Sequence, residues 1–165
     1  MTSGLNNYIK RERLMNGGTN TLFNGGIAWL SLKGKGLLHL AGSGSFAIDI
    51  VATAFILPFI VTLIVIPLQK RKANKGSIAR FTPNKANLIE RLAAGFPQSL
   101  WLSALYFGLI GMLIIAPTTL LGIILLGADT FTPEAYSLFK GLWAGAIAAI
   151  LVGPMIMVGL RDTHE

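Results

Sequence analysis

The stretch LMNGGTNTLFNGGIAWLSL, Leu14 to Leu32, runs from Arg13 to Lys33 without a charged residue, yet it sets asparagines at 16, 20 and 24 among four glycines. As a helix it would rise about 28 Å, close to the roughly 30 Å hydrocarbon core of a bilayer. Lipid cannot hydrogen-bond an amide, so a membrane crossing has to account for the asparagines. On a helix Asn16, Asn20 and Asn24 form an i, i+4, i+8 row continued by Ala28 and Ser31, and Gly17, Thr21 and Gly25 form the adjoining row. A face this polar and small is predicted to turn away from lipid, which makes the segment an interior helix of a bundle. The amides then join helices through interhelical hydrogen bonds. Alternatively, the doubled NGG at 16–18 and 24–26 supplies unwound backbone and amide oxygens to a substrate or cation, as broken helices do in transporters.

The rest of the chain supports the membrane setting. It has 165 residues, of which 53% are hydrophobic and only 13% charged, against about 25% charged in soluble domains. The apolar residues lie in long runs without the period-two alternation of a membrane barrel, so the expected class is an all-α integral membrane protein. Cysteine is absent, which excludes disulfides and thiolate metal sites. The basic flank YIKRER resembles the start of a signal peptide, but no A-x-A-like site follows, and the segment is expected to be retained. The net charge of +7 belongs to cations beside apolar runs, which speaks for membrane orientation and against nucleic acid.

Four spans are predicted within a single membrane domain over 1–165: about 14–32, 46–68, 97–127 and 133–160. Phe46 to Leu68 rises about 34 Å and stops at Lys70, Arg71 and Lys72. The run from Pro97 to Gly127 is longer than a bilayer needs, about 46 Å, and is expected to kink or break at Pro117; Pro58 marks a second kink. Thr132 and Pro133 announce the last span as N-cap and first helical residue. With four spans and both termini cytoplasmic, all of the 14 Lys and Arg residues except Lys33, Lys35 and Lys140 fall inside. With three spans, Lys10, Arg11 and Arg13 would lie outside. Trp29 and Tyr136 fit the outer boundary and Trp101 the inner one, while Trp143 is expected to pack within the bundle.

In the cytoplasmic loop 69–96, Thr82 and Pro83 read as the start of a short amphipathic helix with Leu88, Ile89, Leu92 and Phe96 at helical spacing and Gly95 as its stop. It either lies on anionic lipid or rests its apolar face on the bundle. In the fourth span Gly141, Gly145, Ala149 and Gly153 recur every four residues as a helix-packing stripe, whose partner is a helix of the same chain or of another copy. Asp49 and Lys140 are ionisable residues inside spans, both near the outer end, where they are placed to pair. The blander alternatives are that Lys140 snorkels outward and Asp49 caps its helix.

Catalytic patterns are missing from the sequence. His39 and His164 have no metal-ligand spacing, AGSGSF at 41–46 reads as a flexible linker, and the seven acidic residues form no catalytic pair on one helix. No metal, cofactor or enzymatic activity is expected. The expected role is that of a non-catalytic subunit or assembly factor of a membrane complex. The alternative is a small oligomeric transporter or channel with Asn16, Asn20, Asn24, Asp49 and Lys140 along a polar path. Expected partners are the lipid bilayer and either further copies or other membrane subunits. The expected location is the cell membrane, as a multi-pass protein of the bacterial inner membrane.

Overall fold

Three polar side chains start three of the helices. Ser45 Oγ accepts from the Ile48 amide at 3.4 Å, Asn87 Oδ1 from Ile89 and Glu90 at 3.0 and 3.4 Å, and Thr132 Oγ1 from Ala135 at 3.2 Å. The computed structural model describes residues 3–42, 45–80, 82–84 and 87–162. It contains helices α1 (Ser3–Leu32), α2 (Phe46–Asn74), α3 (Leu88–Gly95), α4 (Leu100–Leu125) and α5 (Pro133–Leu160). Helices α2, α4 and α5 are each long and apolar enough to cross a membrane. Lys85 and His164 lie outside the described residues, as do positions 43 and 44 of the linker.

Helix α5 is the centre of the molecule. Ala144, Ile147, Val152, Met155, Ile156 and Leu160 are buried, and α1, α2 and α3 all pack on it. Two apolar clusters result. One joins Val61, Val65 and Ile66 of α2 to the second half of α5, and the other gathers Phe46, Ile50, Ala54, Ala116, Ile123 and Tyr136. Trp143 packs against both, as the sequence suggests, and its indole donates to Thr119 Oγ1 at 2.9 Å.

The contacts alternate in direction. Gly17 meets Ala149 and Gly25 meets Gly141, so α1 runs antiparallel to α5. Asp49 meets Lys140 and Gln69 meets Gly159, so α2 runs parallel to α5; Phe55 meets Gly108 and Phe59 meets Trp101, so α4 runs against α2. Both ends of the described chain therefore lie at one end of the molecule. Glu12, Lys72, Arg80 and Arg161 share that basic end.

At the opposite end two strands pair antiparallel, β1 (Leu38–His39) with β2 (Thr130–Phe131). The sequence reading did not include them. They tie the α1–α2 connection to the α4–α5 connection, with Phe131 edge-on to Phe46 and stacked on Phe139. Gly127, at φ +66, ends α4 in the left-handed region open to glycine; its own amide donates to the Ile124 carbonyl and that of Ala128 to the Ile123 carbonyl.

Several expectations are corrected. The first helix begins at Ser3 and extends past the expected 14–32 span through Lys10 to Arg13. It is lateral rather than interior: Leu14 and Leu22 are 79% and 76% exposed, and both NGG segments are helical, not unwound. Helix α4 does not break at Pro117. A π-helical turn at Gly111–Ile115 precedes the proline, and the Thr118 and Thr119 hydroxyls donate to the Ile114 and Ile115 carbonyls. Helix α2 likewise runs through Pro58, whose carbonyl takes the Thr62 hydroxyl at 2.7 Å. A proline here removes a ladder donor to the Ala54 carbonyl, and Gly111 of α4 approaches that oxygen so closely that a Cβ would overlap it.

The loop helix starts after Asn87, not at Thr82, and Phe96 lies beyond its end. Its apolar face does not rest on the bundle. Glu90 and Ala93 face inward at 2% and 1% exposure, whereas Leu88, Ile89 and Leu92 are exposed. Arg161 explains that orientation. Its guanidinium donates to the carbonyls of Ala93, Ala94, Phe96 and Pro97 at 2.6 to 3.1 Å, holding the helix end where a cation complements the unpaired C=O groups. Burial pulls its pKa below the ordinary guanidinium value.

Candidate functional site

The seam between α1 and α5 accounts for the glycine stripe. A Cβ on Gly141 would lie 2.8 Å from the Thr21 carbonyl oxygen, and one on Gly145 would overlap the Thr21 hydroxyl and lie 2.7 Å from the Gly17 oxygen. Two backbones meet there because neither carries a side chain in the way. Ala149 faces Gly17, while Gly153 receives the Arg13 guanidinium instead of a backbone. All four stripe residues are thus used inside the chain.

Rotating one residue around α1 brings the asparagines into a different setting. They are half-buried and line a groove of about 690 Å³ between α1 and α2, together with Thr19, Phe23 and Ile27 on one wall and Asp49, Thr53, Ile56, Ile60 and Ile64 on the other. Each Nδ2 donates to the carbonyl four residues earlier: Asn16 to Glu12 at 2.9 Å, Asn20 to Asn16 at 2.9 Å, and Asn24 to Asn20 at 3.1 Å. The expected interhelical amide bonds are therefore replaced by bonds within α1. A short amide side chain reaches the carbonyl below it more readily than a helix across a groove.

Asp49 and Lys140 do pair. Lys140 Nζ lies 2.6 and 2.7 Å from the two carboxylate oxygens, and the Tyr136 hydroxyl donates to the same carboxylate at 2.5 Å. The Lys140 side chain is 13% exposed and that of Asp49 40%, so Lys140 does not snorkel free and Asp49 does not serve as the cap, which is Ser45. Tyr136 is buried at 2% exposure, a member of the cluster and not a boundary anchor. A second cavity of about 230 Å³ adjoins this triad, lined also by Ile27, Ser31 and Leu38. The structure thus brings Asn16, Asn20, Asn24 and Asp49 to one groove, with Lys140 behind the carboxylate.

A further polar cluster closes the other end of the groove and was missed from sequence. Tyr8 donates to Gln69 Oε1 at 2.9 Å, and Lys72 Nζ lies 2.7 Å from the Tyr8 hydroxyl and 3.1 Å from Glu12. Gln69 is fully buried, and its Nε2 has no partner among the described residues. Among the described residues no three His, Asp or Glu side chains gather as metal ligands. No protein-family model, curated protein or solved structure matches this chain.

Proposed function

We propose that the protein is a four-span membrane protein with both termini in the cytoplasm, acting as a non-catalytic subunit or assembly factor of a membrane complex in the bacterial inner membrane. Three apolar helices and the antiparallel course of α1 against α5 support the span number. The basic residues gathered at one end support the orientation, since cytoplasmic loops carry the excess of Lys and Arg. Helix α3, with Leu88, Ile89 and Leu92 turned outward, suits a cytoplasmic lipid surface.

The observation that carries the subunit reading is the groove itself, which opens sideways between two helices instead of leading through the bundle. Exposed Phe23, Ile27, Ile56, Ile60 and Ile64 make it an apolar surface that suits a partner. The test is the mass and composition of the intact complex in mild detergent. A defined complex with another protein is expected; a lone monomer overturns the reading. For orientation, single cysteines replacing Lys35 and Asp129 are expected to react with an external membrane-impermeant label, and one replacing Asn74 is not.

A transporter is the second reading, favoured by the convergence of all five polar candidates on one side of the molecule. It predicts that Asp49→Asn abolishes coupled flux in vesicles while leaving the protein folded. Unchanged flux removes Asp49 from any such mechanism.

A further inference from the structure

Asn20 and Asn24 are left with identical hydrogen-bonding capacity. One N–H of each amide is taken by the carbonyl below, while the second N–H and the Oδ1 have no partner among the described residues. Asn16 differs, because its Nδ2 also reaches Glu12 Oε2 at 3.5 Å. Asn20 stands about 10 Å along the helix from Arg13, deeper than headgroups in the four-span arrangement, where an unmet amide costs several kcal/mol. An acyl chain offers it nothing.

We infer that the groove between α1 and α2 is where a second copy of this chain docks, asparagine row against asparagine row. The inference rests on the four-span arrangement proposed above. One free donor and one free acceptor on each amide make the row self-complementary, the requirement of an isologous interface. A two-fold axis along the membrane normal sets α1 parallel to its counterpart and brings identical residues to the same depth, so Asn20 and Asn24 meet their own kind. Exposed Phe23, Ile27, Ile56, Ile60 and Ile64 supply apolar contact around them. The glycine stripe cannot join the copies, because α1 and α5 already occupy each other's small faces.

The cysteine-free chain makes the test direct. Phe23→Cys keeps every amide, faces the groove, and is expected to form an oxidative disulfide dimer in membranes. Leu22→Cys, equally exposed but outside the groove, is expected to form several-fold less. Adding Asn20→Leu and Asn24→Leu to Phe23→Cys is expected to lower the dimer yield at least about tenfold, while the Gln pair restores most of it. Equal yields at 22 and 23, no dimer at 23, or indifference to the Leu pair overturns the docking. The mass of the unmodified complex separates the two readings. One copy bound to another protein sinks the docking and keeps the subunit reading, a homodimer alone does the reverse, and a monomer sinks both.

Discussion

The two halves of one polar row on α1 face the same neighbour and meet different fates. Tyr8 and Glu12 find Gln69 and Lys72 on α2, whereas Asn20 and Asn24, two and three turns further, share an open groove with Thr53, Ile56 and Ile60 and bond none of them. The difference lies in α2. Its last turns are polar and basic and its first turns carry Asp49 and Thr53, whereas the turns around Ile56 and Ile60 are apolar and offer no partner. What holds α1 at the level of the asparagines is the seam with α5, built from absent side chains and not from hydrogen bonds. A helix held this way keeps its polar row available.

The largest effect expected is from breaking the seam. Gly145→Leu drives a side chain into Thr21 and the Gly17 carbonyl, and folded protein should fall below detection in detergent extracts, because the stripe is internal. If it instead remained folded and lost only its oligomeric state, the seam assignment would be wrong. Next is Asp49→Ala, which leaves Lys140 nearly enclosed without its partner; a loss of about 2 kcal/mol in detergent unfolding is expected, with Asp49→Glu recovering part of it. Smaller still is Lys72→Met, about 1 kcal/mol, since the Glu12 it leaves behind keeps Asn16 Nδ2 at 3.5 Å whereas Lys140 is left with no such donor or acceptor among the described residues. Measuring the last two side by side sharpens the contrast between the ends of α2. Equal losses would mean that the Asn16 amide gives Glu12 no relief.

The sequence carried much of this architecture in plain patterns. Apolar runs gave α2, α4 and α5, with basic stops after α2 and α5, Thr132 and Pro133 gave the start of α5, and two lone ionisable residues at similar depth offered the Asp49–Lys140 pair beside the blander readings of snorkelling and capping. The row of five, Tyr8, Glu12, Asn16, Asn20 and Asn24, is equally periodic, but placing the helix start at Leu14 hid its first two members. Other features were not legible. Tyr136 has the composition of a boundary residue, and only the approach of α2 turns its hydroxyl onto Asp49. The close approach of Gly111 to the Ala54 carbonyl is a meeting of α4 with α2, and the outward turn of α3 goes with an arginine on a distant element. Local pattern reports what a segment prefers; these depend on what arrives beside it.

Arg161 reaches carbonyl groups that stand 64 to 68 residues earlier in the chain. Helices α4 and α5 lie between, so during synthesis α3 waits for both. In the four-span arrangement it also waits for both to enter the bilayer in the correct sense, because an inverted last helix carries the arginine to the opposite side. The clamp therefore closes the connection between α2 and α4 from the far end of the chain, and this connection is among the last parts of the fold to be fixed.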